Sequence, residues 1–216
     1  MIDYSKARAL MVQSALIPRG IRDNLVLEAM ARVPREKFLS DDLKPRAYED
    51  TPLPIGGGQT ISQPYIVAYM IEALHLRGGE KVLEIGTGSG YAAAVLSEIA
   101  KDVFTIERIG QLAEKAAIHL LDGGYNNVHI RHDDGTQGWG EKAPFDAILV
   151  SAGAPEIPKE LLRELAIGGH MIIPVGGSET VQELVRVTRI DENSYEQEDL
   201  ADVRFVPLIE PMQSPP

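Results

Sequence analysis

The chain has 216 residues, 44% of them hydrophobic, with 21 Lys and Arg against 32 Asp and Glu, for a formal charge of −11. That length suits one domain with an elaboration, and the negative balance opposes the phosphate neutralisation that supplies most nucleic-acid affinity, so no nucleic-acid partner is expected. Because the chain contains no cysteine, disulfides, thiolate metal centres and thiol catalysis are excluded.

The start, Met1 to Arg8, lacks a basic segment leading into an apolar core, and no stretch reaches the length of a membrane span. A cytoplasmic protein without membrane contact is expected. Helical spacing marks residues 4–16 and 23–32, the second with Val26, Met30 and Val33 on one face and Pro34 closing it. Between Pro45 and Pro64, four prolines and Gly56-Gly57-Gly58 argue against regular structure and for a shaped loop. Ile66, Met70 and Leu74, flanked by Val67 and Ile71, then form the stripe of a helix over 65–76.

From there strand and helix alternate. Strands are predicted at 81–85, 103–107, 128–131, 145–150 and 170–175, the last preceded by a Gly168-Gly169 turn; helices are predicted at 91–99, 112–121 and 158–165. This alternation indicates an α/β fold: a Rossmann-like, doubly wound, mostly parallel sheet covered on both faces. Residues 181–190 and 203–208 supply late antiparallel strands around the polar turn at 191–194, and residues 210–216 read as a disordered tail. The expected organisation is a single domain over 1–216, with a helical and loop extension at 1–76 and the Rossmann-like core at 77–209.

The first predicted strand, Lys81 to Ile85, runs into Gly86-Thr87-Gly88-Ser89-Gly90 and then a helix. Such a glycine turn lets a ligand approach the backbone, and the helix start presents N–H groups to it. A dinucleotide fingerprint places glycines first, third and sixth; here Tyr91 holds the sixth place. The spacing therefore favours S-adenosylmethionine over NAD. Glu107 ends the next strand, 21 positions after Gly86, where a carboxylate can accept from both hydroxyls of a ribose. Asp134-Gly135 follows the third strand and reads equally as an adenine contact or an ordinary turn. Glu84 lies within an apolar strand and needs a partner, either a cationic ligand or the loop backbone.

The loop from Pro54 to Pro64 joins backbone freedom to two hydroxyls, Thr60 and Ser62. On the residues alone Ser62 reads first as a helix N-cap, although a helix start can also present a hydroxyl to an incoming carboxylate. His129 and His132, beside Asp133 and Asp134, read as solvated loop residues, and no metal is expected. Trp139, between Gly138 and Gly140, is open to two readings, a lid or a cover for the core.

Across nearly its whole length the chain resembles the bacterial protein-L-isoaspartate O-methyltransferases. The resemblance runs through Val33-Pro34-Arg35-Glu36-Lys37-Phe38, Leu53-Pro54-Ile55-Gly56, Gln59-Thr60-Ile61-Ser62-Gln63-Pro64, the glycine motif, Pro144-Phe145-Asp146-Ala147-Ile148, Pro155-Glu156-Ile157-Pro158, Pro174-Val175-Gly176 and Val203-Arg204-Phe205-Val206-Pro207-Leu208. The glycine motif is common to many methyltransferases, whereas the Thr-Ile-Ser-Gln-Pro block is far more specific.

The resemblance implies methylation of the free carboxyl of L-isoaspartyl residues in damaged proteins and peptides, less efficiently of D-aspartyl residues. S-adenosylmethionine would be the donor and S-adenosylhomocysteine the product, and the ester would close to a succinimide. Ser62 matches the active-site serine of that family, Glu107 its ribose-binding acid, and Asp134 with Gly135 its adenine contacts. The expected cofactor contacts are Ile55, Gly56, Glu84, Gly86, Thr87, Gly88, Gly90, Glu107, Arg108, Asp134 and Gly135; the expected substrate contacts are Thr60, Ser62 and Val206. Asp133, where many relatives have glycine, and Gly153, in a run usually written with alanines, depart from the pattern. A monomer is expected. Two rival readings share these residues, a methyltransferase for a small metabolite or RNA and a noncatalytic cofactor-binding module, with a dehydrogenase a distant third.

Overall fold

A computed structural model describes residues 2–177 and 181–208; the expected tail at 210–216 lies outside them. Its centre is a seven-stranded sheet in the order β5-β4-β3-β6-β7-β8-β9. The strands are β3 (Lys81–Ile85), β4 (Asp102–Glu107), β5 (Val128–His132), β6 (Phe145–Val150), β7 (Leu165–Val175), β8 (Gln182–Arg189) and β9 (Tyr195–Val203). The first five run parallel, and β8 and β9 run antiparallel to their neighbours. Val82, Leu83, Ile85, Ile148, Leu149 and Val150 are all buried, as expected of parallel strands covered on both faces.

Helices α4 (Tyr91–Ser97), α5 (Gly110–Gly123) and α6 (Lys159–Glu164) form the crossovers. The amino-terminal extension contributes α1 (Tyr4–Met11), α2 (Asn24–Arg32) and α3 (Pro64–Ala73). Asp23 caps α2 by accepting from the Leu25 and Val26 N–H groups. One apolar cluster runs from Met11 and Met30 through Ile71 and Tyr91 to Leu184 and Val203, so the extension and the sheet share a core.

Several boundaries differ from the sequence expectation. The first helix is α-helical only to Met11 and continues through a π turn at Val12–Leu16. The glycine-rich loop contains an antiparallel hairpin, β1 (Leu53–Gly56) and β2 (Gln59–Ile61). Gly56, Gly57 and Gly58 all have positive φ, at 94°, 59° and 71°, so the glycines make the hairpin turn instead of preventing structure. Strand β7 begins at Leu165, with the Gly168-Gly169 pair absorbed at a register shift opposite Phe145 and Ala147. The last strand is Tyr195–Val203, not 203–208. Residues 204–208 instead follow an irregular path, joined through Pro207 to Gly153 by an isolated bridge.

Candidate active site

The order of the sheet reverses around β3, whose neighbours are β4 and β6, and ligands bind at the carboxyl ends of strands at such a switch point. Immediately after β3, Gly86, Gly88 and Gly90 hold φ values of 92°, 56° and 90°, a conformation costly for residues with a Cβ. The Gly86 N–H donates to the Ile106 carbonyl at 2.9 Å, fastening the turn to β4. At the end of β4 the Glu107 carboxylate accepts from the Gly88 N–H through Oε2 and from the Ile109 N–H through Oε1, each at 2.8 Å. Both oxygens are thereby fixed while each keeps further acceptor capacity.

Beneath this turn Glu84 is fully buried. The Thr105 hydroxyl donates to its Oε2 at 2.5 Å, the Thr87 hydroxyl lies 2.6 Å from that of Thr105, and Oε1 has no hydrogen-bond partner among the described residues. Burial pushes the Glu84 carboxyl up to about 8; the nearby charge of Glu107 adds to the rise, and the Thr105 bond opposes it. Glu84 is therefore a neutral carboxylic acid at pH 7.

Facing the turn, β2 delivers Gln59, Thr60 and Ile61, followed by Ser62. Helix α3 has Gln63 at its N-cap without a side-chain cap bond, so Ser62 stands one residue outside the capping position. Instead the Tyr65 N–H donates to Asp50 Oδ1 at 2.9 Å. Among the described residues the half-buried Ser62 hydroxyl has no hydrogen-bond partner. The third wall is Val206 to Leu208. The Gly153 N–H donates to the Val206 carbonyl at 2.8 Å, and the Leu208 N–H donates to the Gly153 carbonyl at 2.7 Å. Buried Gln182 supports this segment by accepting from the Phe205 N–H at 2.7 Å and donating to the Phe205 carbonyl at 3.3 Å.

Thr60, Ser62, Gly86, Thr87, Gly88, Glu107, Arg108, Gly135 and Val206 line one cleft, open at its mouth. Ile55 and Gly56 line an adjoining hollow, separated from it by Gly88 and Ser89. Glu84 lies below the cleft wall, and Gly90 packs toward Ala116 and Leu120. Asp134 turns back on its own chain, accepting from the Thr136 N–H at 3.0 Å and the Thr136 hydroxyl at 2.9 Å. A Cβ on Gly135 would come within 2.4 Å of Ile85 Cγ2, so only glycine fits there.

Ile109, Ser151 and Ala152, none of them singled out by the sequence, also line the cleft, as do Pro207 and Leu208 from the run at 203–208. Ser151 was findable, since it directly follows β6 beside the end of β3. His129 stacks on Phe104 with ring centroids 4.7 Å apart, and His132 Nε2 lies 3.0 Å from the Arg108 carbonyl. Trp139 packs edge-on against Phe104, away from the cleft.

A mostly parallel sheet with a glycine turn at its switch point and a fixed carboxylate at the end of the next strand defines a Rossmann-like nucleotide-cofactor site. Residues 6–213 match the family model described as protein-L-isoaspartate(D-aspartate) O-methyltransferase, and the chain belongs to that family. It is 56% identical over 207 residues to protein-L-isoaspartate O-methyltransferase 2 of Marinobacter nauticus, covering 96% of this chain and 94% of that one. It is 58% identical over 206 residues to protein-L-isoaspartate O-methyltransferase 1 of Rhodopseudomonas palustris, covering 95% and 84%. A crystal structure of a Plasmodium falciparum protein, described as a protein-L-isoaspartate O-methyltransferase in complex with S-adenosyl-L-homocysteine, superposes with a TM-score of 0.82 at 29% identity, covering 94% of this chain and 98% of that one.

Proposed function

We infer that the chain transfers a methyl group from S-adenosylmethionine to the free carboxyl of L-isoaspartyl residues, and less efficiently D-aspartyl residues, in damaged proteins and peptides. The methyl ester then closes to a succinimide, and repair follows. The observation that carries this reading, together with the family, is one cleft that unites the Thr60–Ser62 arm with the glycine turn and Glu107.

The residues suit the cofactor. The positive-φ glycines leave a backbone cradle, Gly135 has no room for a side chain, and Glu107 offers a rigid acceptor. Glu107 would hold the ribose hydroxyls, Asp134 and Gly135 the adenine end, and Gly86 to Gly88 the backbone-facing part, with Arg108, Ile55 and Gly56 at the margins. When bound, S-adenosylmethionine supplies a methyl group activated by its sulfonium charge. Glu84 lies beneath the turn, its Oε1 without a partner among the described residues.

A substrate carboxyl with a pKa near ~4 is already an anion at neutral pH, so no general base is required. Orientation is what the protein must supply. Ser62 donates a hydrogen bond from its hydroxyl to one carboxylate oxygen and so directs the other toward the methyl group. Thr60 and Val206 flank the incoming peptide and exclude water. Support for the role of Ser62 comes from its place on the cleft wall, where its hydroxyl has no hydrogen-bond partner among the described residues.

The finer points of the reading are a single domain over 1–216, a cytoplasmic monomer and no nucleic-acid partner. The shared core of extension and sheet supports the first, and the charge of −11 supports the last. A methyl-transfer assay on two peptides of identical sequence, one with isoaspartate and one with aspartate, tests the proposed activity: the isoaspartyl peptide alone should be methylated, and equal transfer to both would overturn the reading.

A further inference from the structure

Asp50 lies in the strap that leads from the amino-terminal extension into the β1–β2 hairpin, and it is the point where three segments meet. Its Oδ1 accepts from the Tyr65 N–H at 2.9 Å; its Oδ2 accepts from the Gln63 side-chain amide at 2.8 Å and from Arg19 Nη1 at 2.6 Å. Arg19 in turn lies 3.5 Å from the Tyr65 ring centroid. The strap itself is tied from below by buried Arg35, which donates to the Ala47 carbonyl at 2.8 Å and the Thr51 carbonyl at 3.4 Å.

The first turn of a helix leaves N–H donors that a nearby hydroxyl, carboxylate or amide normally satisfies. In α3 that acceptor comes from 15 residues upstream. The Gln63 side chain, which occupies the N-cap, is drawn off to Asp50 as a donor, and the Ser62 hydroxyl has no partner among the described residues. Without Asp50 the Tyr65 N–H and the Gln63 amide would lose their acceptor, and the backbone that carries Ser62 would lose its anchor. With Asp50 in place, Ser62 stays on the wall shared by the cofactor cleft and the neighbouring groove of Arg19, Arg204 and Phe205.

We propose that Asp50 is a positioning residue for methyl transfer: by capping α3 from outside the helix and holding the Gln63 amide, it keeps the Ser62 hydroxyl free for the substrate carboxylate. This rests on the role given to Ser62 above. Asp50 touches neither substrate nor cofactor and acts through the backbone between Ser62 and Tyr65. No local sequence pattern marks it, because its partners are distant in the chain.

The test is a double-mutant cycle on an isoaspartyl peptide, using Asp50→Ala, Ser62→Ala and the double variant, with S-adenosylhomocysteine affinity and Tm measured for each. Asp50→Ala should lower kcat on the order of tenfold, since a misplaced orienting group costs turnover. Its S-adenosylhomocysteine affinity should stay within about twofold of the parent, and in the Ser62→Ala background the kcat loss should largely vanish because the group it positions is gone. If Asp50→Ala does not fold, Asp50→Glu, which keeps the charge but shifts the carboxylate by a methylene, replaces it in the same cycle with the same expected coupling. Unchanged kcat on altering Asp50, or an equal loss in both backgrounds, overturns the proposal while leaving Ser62 intact. Unchanged kcat in Ser62→Ala alone instead removes the reading on which the proposal stands, and is read independently of Asp50.

Discussion

The Gly88 N–H donates to the Glu107 carboxylate at 2.8 Å, tying the glycine turn after β3 to the end of β4. The carboxylate that would receive a ribose is therefore also a strut of the turn. Glu107→Ala should weaken S-adenosylhomocysteine binding on the order of 100-fold or more, because it removes two hydrogen bonds to a charged acceptor, each worth about 1.5–3 kcal/mol. Isothermal titration measures this; affinity within about twofold of the parent would argue against the ribose role.

Gly135 lies where a Cβ would meet Ile85 Cγ2 at 2.4 Å. Gly135→Ala should cost about 1–3 kcal/mol in stability through overpacking and should also weaken cofactor binding, since this residue lines the cleft. Chemical denaturation and titration with S-adenosylhomocysteine check the two effects separately. A variant with parental stability would show that the β3 end yields more easily than its packing implies.

Glu84 gives the protein a pH signature. Its carboxyl is raised from 4.5 to about 8 by burial. Below the lower value it is protonated folded and unfolded alike, so its contribution to stability is fully present. Between the two, the unfolded chain releases the proton that the folded chain keeps, and stability falls on the order of 1 kcal/mol per pH unit. Once pH passes the upper value both states are ionised and the loss is complete. Relative to Glu84→Gln, the parent should therefore be more stable at pH 5 than at pH 8.5 by urea unfolding; a difference independent of pH would contradict the buried, neutral acid.

Gln182 is buried and exchanges two hydrogen bonds with the Phe205 backbone. Gln182→Ala should loosen the segment that carries Val206 to the cleft and raise the peptide KM roughly three- to tenfold, in line with the loss of one or two such bonds. Steady-state kinetics decide it, and an unchanged KM would separate this segment from peptide binding.

The parallel core was legible because its strands are short, apolar and buried on both faces, and its helices carry clear stripes. The β1–β2 hairpin was not, because Pro52, Pro54 and three glycines read as breakers although positive-φ glycines are what its turn requires. Strand β9 was missed for the opposite reason. Glu196, Glu198, Asp199 and Asp202 make it look like a solvated loop, yet it is a sheet edge whose outward positions face water. The apolar run at 203–208 reads as a strand and is not one, although Val206 to Leu208 do wall the cleft. At the site, the glycine turn and Glu107 were readable from spacing in adjacent elements. The cap supplied to α3 by Asp50 was not, since no nearby residue announces it, and Ser62 therefore looked like the cap itself.

The central claim is that this cleft directs methyl transfer to the carboxyl of an isoaspartyl residue. Its most direct measurement uses S-adenosylmethionine carrying a labelled methyl group and the paired isoaspartyl and aspartyl peptides, with label followed into a base-labile ester. The account predicts ester on the isoaspartyl peptide and none above background on its aspartyl isomer. Equal labelling of the two, or no transfer from a protein that demonstrably binds the cofactor, would contradict it.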